Sequence, residues 1–205
     1  MHTLIVVSHP VADSLTHTLA KQIAAGITGA EGGHSVEIAD LAAEDFDPRF
    51  TATDMNAFNG KSALPQDVLD EQARVDRADA LILVYPIYWW SMPGQLKGWI
   101  DRVFANGWAY EDDGSGKVVK KLLHLKVHLV ALGGADMRTF ARHGYFGSMK
   151  TQIDHGIFDY CGAPVLTSEL IHTANPADFE ANLALAKKLG QKVVAAPQRA
   201  ESLCA

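Results

Sequence analysis

Short apolar runs alternate with stretches of helical periodicity along this chain. Thr3 to Ser8 is a continuous, β-branched run, the mark of a strand buried on both faces. Ser14 can cap a helix from Leu15 to about Gly26, in which Leu19, Ile23 and Ile27 recur at helical spacing. Gly29, Gly32 and Gly33 end it. Ser35 to Ala39 reads as a second strand, Asp67 to Arg77 as a helix, and Ala80 to Tyr85 as a third strand. Beyond Pro93, the segment Gln95 to Phe104 predicts a helix with Leu96, Trp99, Ile100 and Val103 on one face. Lys126 to Leu132 predicts a fourth strand, Ala163 to Ile171 a fifth, and Asp178 to Val194 a closing amphipathic helix.

Strands alternating with helices imply a doubly wound α/β fold, a five-stranded parallel sheet with helices on both faces. Five strands favour the order 2-1-3-4-5, although the pattern alone does not set that order. One domain over 1–196 and a loose tail over 197–205 account for the chain. Two stretches, Ala43 to Pro65 and Ala105 to Leu122, are too long to be mere connectors. Ordered loops of that length usually carry function or oligomer contacts.

Composition narrows the function. The 205 residues are 48% hydrophobic and 20% charged, an ordinary globular balance that suits a single core. A formal net charge of -6 and the lack of any basic run argue against a nucleic-acid or anionic-membrane partner. No apolar run approaches the roughly 20 residues of a spanning helix, so membrane insertion is not expected. The opening Met1-His2-Thr3-Leu4 lacks a basic flank and a cleavage site, so no signal peptide is read there. Cys161 and Cys204 make neither a disulfide framework nor a metal site, and the expected location is the cytoplasm.

In a doubly wound sheet, ligands bind at the carboxyl ends of the strands. The loop after the first strand runs His9-Pro10-Val11-Ala12-Asp13-Ser14-Leu15-Thr16 into a helix, whose free N–H groups, dipole and hydroxyl donors suit a phosphate. It lacks both the Gly-rich dinucleotide fingerprint and the P-loop lysine. Ser14 as nothing more than a helix cap remains an open alternative. The loop after the third strand is more specific. Pro86-Ile87-Tyr88-Trp89-Trp90-Ser91-Met92-Pro93 sets three consecutive aromatics between two prolines, a suitable wall for a flat heteroaromatic ring. Core or interface packing is the competing role.

That run, continued through Gly94-Gln95-Leu96-Lys97-Gly98-Trp99-Ile100-Asp101-Arg102-Val103-Phe104 and Gly107-Trp108-Ala109-Tyr110, closely resembles the NAD(P)H:quinone oxidoreductase family. The family is flavodoxin-like and includes mammalian quinone reductase and bacterial ancillary proteins of potassium-efflux systems. The resemblance implies a homodimeric flavoprotein, an NAD(P)H dehydrogenase that transfers hydride to flavin N5 and on to a quinone-like acceptor by ping-pong. It implies that His9, Ser14, Leu15 and Thr16 hold the flavin phosphates and that Pro86, Ile87, Tyr88, Trp89 and Trp90 run along the ring. Ala131, Leu132, Gly133 and Gly134 correspond to the loop at the ring's pyrimidine side.

By the same resemblance, His143 stabilises charge, and Tyr110 reaches the other subunit's flavin. Trp89, Trp90 and Tyr110 line the acceptor slot with Asp112, Phe140 and His143. Two positions depart from the family. Phe140 falls nearest the relay tyrosine and has no hydroxyl, for which Tyr145 or Arg142 are the possible replacements. Asp112 stands where the family has a second tyrosine. FAD is the expected cofactor, because the Phe46-to-Pro65 excursion resembles the branch that covers an adenylate, with FMN as the alternative. The rival functions are azo or nitro reduction on the same fold, and a flavin-bearing regulatory subunit of a membrane transporter. No resident metal is expected.

Overall fold

The computed structural model describes residues 1–112, 114 and 116–195. The stretch 197–205, expected as a loose tail, and with it Cys204, lies outside the described residues. In chain order the elements are β1 (His2–Val7), α1 (Leu15–Thr28), β2 (Ser35–Asp40), α2 (Ala52–Phe58), α3 (Gln66–Asp76), β3 (Ala80–Pro86) and α4 (Gly94–Val103). There follow β4 (Tyr110–Asp112), β5 (Val118–Lys120), β6 (Lys126–Gly133), α5 (Met137–His143), α6 (Tyr145–Met149), a π-helical stretch Lys150–Asp159, β7 (Val165–His172) and α7 (Phe179–Ala195).

Five strands form one parallel sheet in the order β2-β1-β3-β6-β7. Counted along the sheet, this is the expected 2-1-3-4-5; the small antiparallel hairpin β4–β5 intervenes in sequence only. The central strands bury both faces. Leu4, Val6, Leu81, Leu83 and Leu129 meet Val75, Leu96, Trp99 and Val103 on one side. Ile5, Val7, Ile82 and Val84 meet Leu19, Ile23, Leu189 and Val193 on the other. That double burial is why β1 and β3 read as near-continuous apolar runs, and β6 as one interrupted only by His128 after its first residue pair, each large apolar side chain contributing roughly 1.5–3 kcal/mol.

Helices α1 and α7 touch through glycine. A Cβ on Gly26 would lie 2.1 Å from the Lys187 carbonyl oxygen, and one on Gly190 would lie 2.1 Å from that of Ile23. Backbone-to-backbone contact therefore holds α1 against α7, while Leu19 and Ile23 seat α1 on the sheet with its N-terminus at the carboxyl edge.

The Ala43-to-Pro65 stretch is ordered and includes α2, which hydrophobic periodicity does not reveal. Its start is a capping box, in which Thr51 Oγ1 accepts from Asp54 N and Asp54 Oδ2 accepts from Thr51 N. Arg102 of α4 anchors it, donating to Asp54 and Asp67 side chains and to the Asp47 carbonyl, with its guanidinium over the Phe46 ring. Gly98 leaves room for the Pro48 carbonyl, which a Cβ would approach to 2.1 Å.

Between the fourth and fifth predicted strands the sequence shows no 3.6-residue stripe, yet the chain is helical there. The reason is the π-helical stretch. Its wider turn brings Ile153 and Phe158, five residues apart, together into the core.

Candidate functional site

The loops after β1, β3 and β6 converge at the carboxyl edge, where the strand order reverses. They are tied to one another. Ser8 N donates to Val84 O, Ile87 N donates to Leu132 O, and Ser8 Oγ donates to Gln95 Oε1 of α4. Ile87, Trp89, Trp90, Gly133, Gly134, Ala135 and Phe140 line a cleft of about 240 Å³ between the second and third loops.

The β3 loop makes a tight two-residue turn. Tyr88 and Ser91 exchange both backbone hydrogen bonds at 3.1 Å, leaving Trp89 and Trp90 at its tip. Both tryptophans adopt the left-handed conformation, with φ of 48° and 61°. For an L-residue with a bulky side chain this costs roughly 1–2 kcal/mol each, and such turns normally take Asn or Gly. Backbone strain of this kind concentrates at functional sites. Trp89 is 94% exposed, whereas Trp90 stacks on Tyr145 at 3.8 Å and meets the edge of Phe140 at 5.5 Å. Ser91 Oγ donates to Gln152 Oε1 at 2.6 Å, fastening the turn to the π-helical stretch.

Tyr145 also stacks on His143, with centroids 5.4 Å apart, so Trp90, Tyr145 and His143 form one column of rings. Gly144, in the left-handed conformation between α5 and α6, lets the chain reverse so that residues 143 and 145 face one another. Phe140 is buried and supplies an apolar floor with no hydroxyl. Behind the third loop, His172 Nδ1 donates to Ala135 O at 2.9 Å, tying that loop to the end of β7. The amides of Trp89, Trp90, Gly134 and Ala135 make no hydrogen bond to another described residue, so the cleft keeps unspent donors beside apolar walls. That combination fits the polar edge and apolar face of a flat heteroaromatic ring.

In the first loop, Ser14 caps α1, its Oγ accepting from His17 N. The His17 ring is 7% exposed and bonded at both nitrogens, Nδ1 to Ser14 Oγ and Nε2 to Asp40 Oδ2, each at 2.8 Å. Asp40 Oδ1 accepts from the Ala42 and Ala43 amides. His9 lies beside it, ring edge to ring face at 6.2 Å, and Thr16 is buried. Leu15 is half-buried against the α1 side of the core. By helix geometry the Leu15 and Thr16 amides have no intrahelical acceptor and point out of the N-terminus.

Other expected site residues lie elsewhere. Ala131 and Leu132 are buried in β6 with their side chains in the two cores, and only the Leu132 carbonyl faces the β3 loop. Tyr110 is separate from the tryptophan cleft within one chain. It lines a groove of about 230 Å³ with Phe50, Met55 and Phe58 of the excursion, and packs edge-on against Tyr160 at 5.2 Å. Burial, and then the nearby Tyr160, Cys161 and Asp112, raise its phenol pKa. Asp112 is exposed in β4, where its amide donates to Asn106 Oδ1. His143 is exposed at the end of α5. Cys161 is buried, which pushes its thiol up to about 11 and leaves no thiolate to react. Sequence reasoning missed His17, Asp40 and His172. Only the Ser14-to-His17 spacing within one helical turn was there to hint at the first of these.

A parallel sheet in this order, with a three-loop cleft at its switch point, defines a flavodoxin-like protein. A family profile described as "Flavodoxin-like fold" matches residues 1–193. The rat (Rattus norvegicus) ribosyldihydronicotinamide dehydrogenase [quinone] is 33% identical over 187 residues, covering 82% of this chain and 79% of its own. An uncharacterized NAD(P)H oxidoreductase of Haemophilus influenzae is 29% identical over 198 residues, 95% of each chain. Among solved structures, an NAD(P)H:quinone oxidoreductase from Methanothermobacter marburgensis aligns with a TM-score of 0.85 at 27% identity, covering 94% of this chain and 98% of that one. The chain belongs to the flavodoxin-like family of oxidoreductases that includes the NAD(P)H:quinone reductases, and it is an oxidoreductase.

Among the described residues no group of three or more His, Cys, Asp or Glu could hold a metal ion, and no helix is long and apolar enough to cross a membrane.

Proposed function

We propose that the protein is a flavin-dependent NAD(P)H:quinone reductase that works by ping-pong as a cytoplasmic homodimer. The observation that carries this is the strained double-tryptophan turn facing the free amides of Gly134 and Ala135 across one cleft. A bound flavin supplies the chemistry, taking hydride from NAD(P)H and giving it to the acceptor.

The chain's own residues hold and exclude. Ser14, Leu15, Thr16 and His9 receive the phosphate end at the α1 N-terminus. Pro86 to Trp90 run along the ring, and Gly133-Gly134 meet its polar edge with backbone donors. Trp89 and Trp90 cover the slot that NAD(P)H and acceptor occupy in turn, which is why the chain carries no separate nicotinamide fingerprint. The imidazole of His143 and the phenol of Tyr145 stand beside Trp90, where a positive or proton-donating group offsets negative charge developing in the slot.

The excursion supports a second subunit. Phe50, Met55 and Phe58 expose aromatic and thioether surface around Tyr110, remote from the cleft of their own chain. A second copy seated there would bring Tyr110 and Asp112 to its partner's slot and lay the excursion over an adenylate, which favours FAD over FMN.

Purification of the coloured protein, acid release of the cofactor and its chromatographic identification test this directly. FAD or FMN at about one per chain, with steady NADPH-dependent reduction of benzoquinone and parallel initial-rate lines, is expected. Failure to bind either flavin, even on reconstitution, would overturn it. Flavin without turnover would support instead a regulatory subunit.

A further inference from the structure

The Asp40–His17–Ser14 chain has a direction that the phosphate end of the site must respect. Asp40 accepts at both oxygens, from two amides at Oδ1 and from His17 at Oδ2. A carboxylate so occupied has no proton to give, so His17 Nε2 carries the hydrogen of that bond. The other nitrogen, Nδ1, faces Ser14 Oγ at 2.8 Å. With neutral imidazole, Nδ1 is a bare lone pair, and the single hydroxyl hydrogen of Ser14 must point inward to satisfy it. An anion at the α1 N-terminus claims that same hydrogen. Two lone pairs would then face each other at 2.8 Å in a buried place, unless Nδ1 gains a proton and donates to Ser14 Oγ.

We propose that His17 is a proton-coupled positioning residue, which takes up one proton from solvent when the cofactor's phosphate group binds and so turns the Ser14 hydroxyl outward to the anion. The inference rests on the flavin reading above. The arrangement is not that of a hydrolytic triad, in which Nε2 faces the serine and Nδ1 the carboxylate; here the two nitrogens are exchanged and Ser14 Oγ is held as a helix cap. The ionisable groups around the ring are Asp40 of β2 and His9 of the first loop. Asp13 and Lys21, before and after it in the chain, are exposed.

The test is calorimetric titration of the full-length chain, freed of flavin, with FAD, FMN and riboflavin in buffers of differing ionisation enthalpy. Wild type should take up a proton, approaching one per chain, with FAD and FMN but not with riboflavin, which has no phosphate. His17→Gln should take up none with FAD, bind it roughly 10-fold more weakly at the acid end of the range, and lose the pH dependence of Kd. Ser14→Ala should also abolish uptake while leaving the His17–Asp40 bond, which covers the case that His17→Gln does not fold. Subtracting variant from wild type cancels the titration of FMN's own phosphate. FAD binding by wild type without proton uptake, or equal uptake in wild type and His17→Gln, would overturn the inference and leave the flavin reading intact. Failure of wild type to bind any of the three flavins would instead overturn the flavin reading.

Discussion

Trp90 lies face to face on Tyr145, with ring centroids 3.8 Å apart and planes 11° from parallel. The contact joins a strained turn after β3 to the start of α6, two segments that share no hydrogen bond at these residues. A stacked pair of this kind is worth about 0.5–1.5 kcal/mol beyond its buried area. That offsets much of the left-handed cost at Trp90, so Tyr145 acts as the clamp that keeps the second tryptophan in the cleft.

Removing the clamp should therefore change acceptor handling more than cofactor content. Tyr145→Ala is expected to raise the acceptor KM several-fold with flavin stoichiometry unchanged, and to lower stability by about 1 kcal/mol. Tyr145→Phe keeps the stack, so a fall in kcat there would assign the missing relay hydroxyl to Tyr145. Steady-state kinetics on the two variants separate packing from proton donation.

Trp89 presents the opposite case, because its strain is not repaid by packing. Its side chain is almost wholly exposed in the single chain. Trp89→Asn, a residue that tolerates the left-handed region, should stabilise the chain by about 1 kcal/mol and raise Tm by roughly 2–4 °C. Turnover should drop about 10-fold while flavin content holds. Loss of flavin with unchanged chemistry per bound cofactor would mark Trp89 as structural instead.

Arg102 is the link between α4 and the excursion. Its side chain and that of Asp54 are 5% and 3% exposed, and burial, which raises the Asp54 pKa, is outweighed by hydrogen bonds from Thr51 and Arg102. Arg102→Leu leaves that carboxylate without its cation and should cost about 3–5 kcal/mol in urea unfolding. Asp67→Asn breaks a half-exposed partner and should cost about 1 kcal/mol or less. Equal costs for the two would refute the buried pair as the anchor.

His128 makes stability depend on pH from inside the sheet. Burial, with Lys126 adding to it, depresses its pKa to about 4, and Nδ1 bonds Thr167 Oγ1 while Nε2 has no partner among the described residues. The unfolded chain binds a proton near the ordinary histidine value of about 6.5. Between those two values the unfolded state holds more protons, so this contribution is complete above about 6.5 and is lost as pH falls toward 4. The full loss is on the order of 3 kcal/mol. His128→Gln should flatten that part of the pH–stability curve, and an unchanged slope would place the titration elsewhere.

The contacts that matter most here could not have been read along the chain. Ser14 was legible as a cap, and Pro86 to Pro93 as the loop that follows the third strand, because those features depend on neighbours within a turn or a strand end. Asp40, 23 residues from His17, and Asp54, 48 residues from Arg102, carry no local sign of their partners. The wide helical turn from Lys150 to Asp159 escaped notice because its five-residue spacing mimics no regular stripe.

By itself the sequence determined a five-stranded α/β sheet, marked by the buried runs of its central strands, and the loops that follow those strands; the strand order was favoured by the count of strands but set only by their pairing. Burial on two faces writes itself into every residue of a central strand, so that information is local. Tertiary structure alone decided that His17 bridges Ser14 and Asp40, that both tryptophans turn left-handed, and that Tyr110 sits apart from the cleft of its own chain. Those outcomes are set by hydrogen-bond direction and ring stacking between distant segments, and such terms act only once the backbone has brought the segments within a few ångströms.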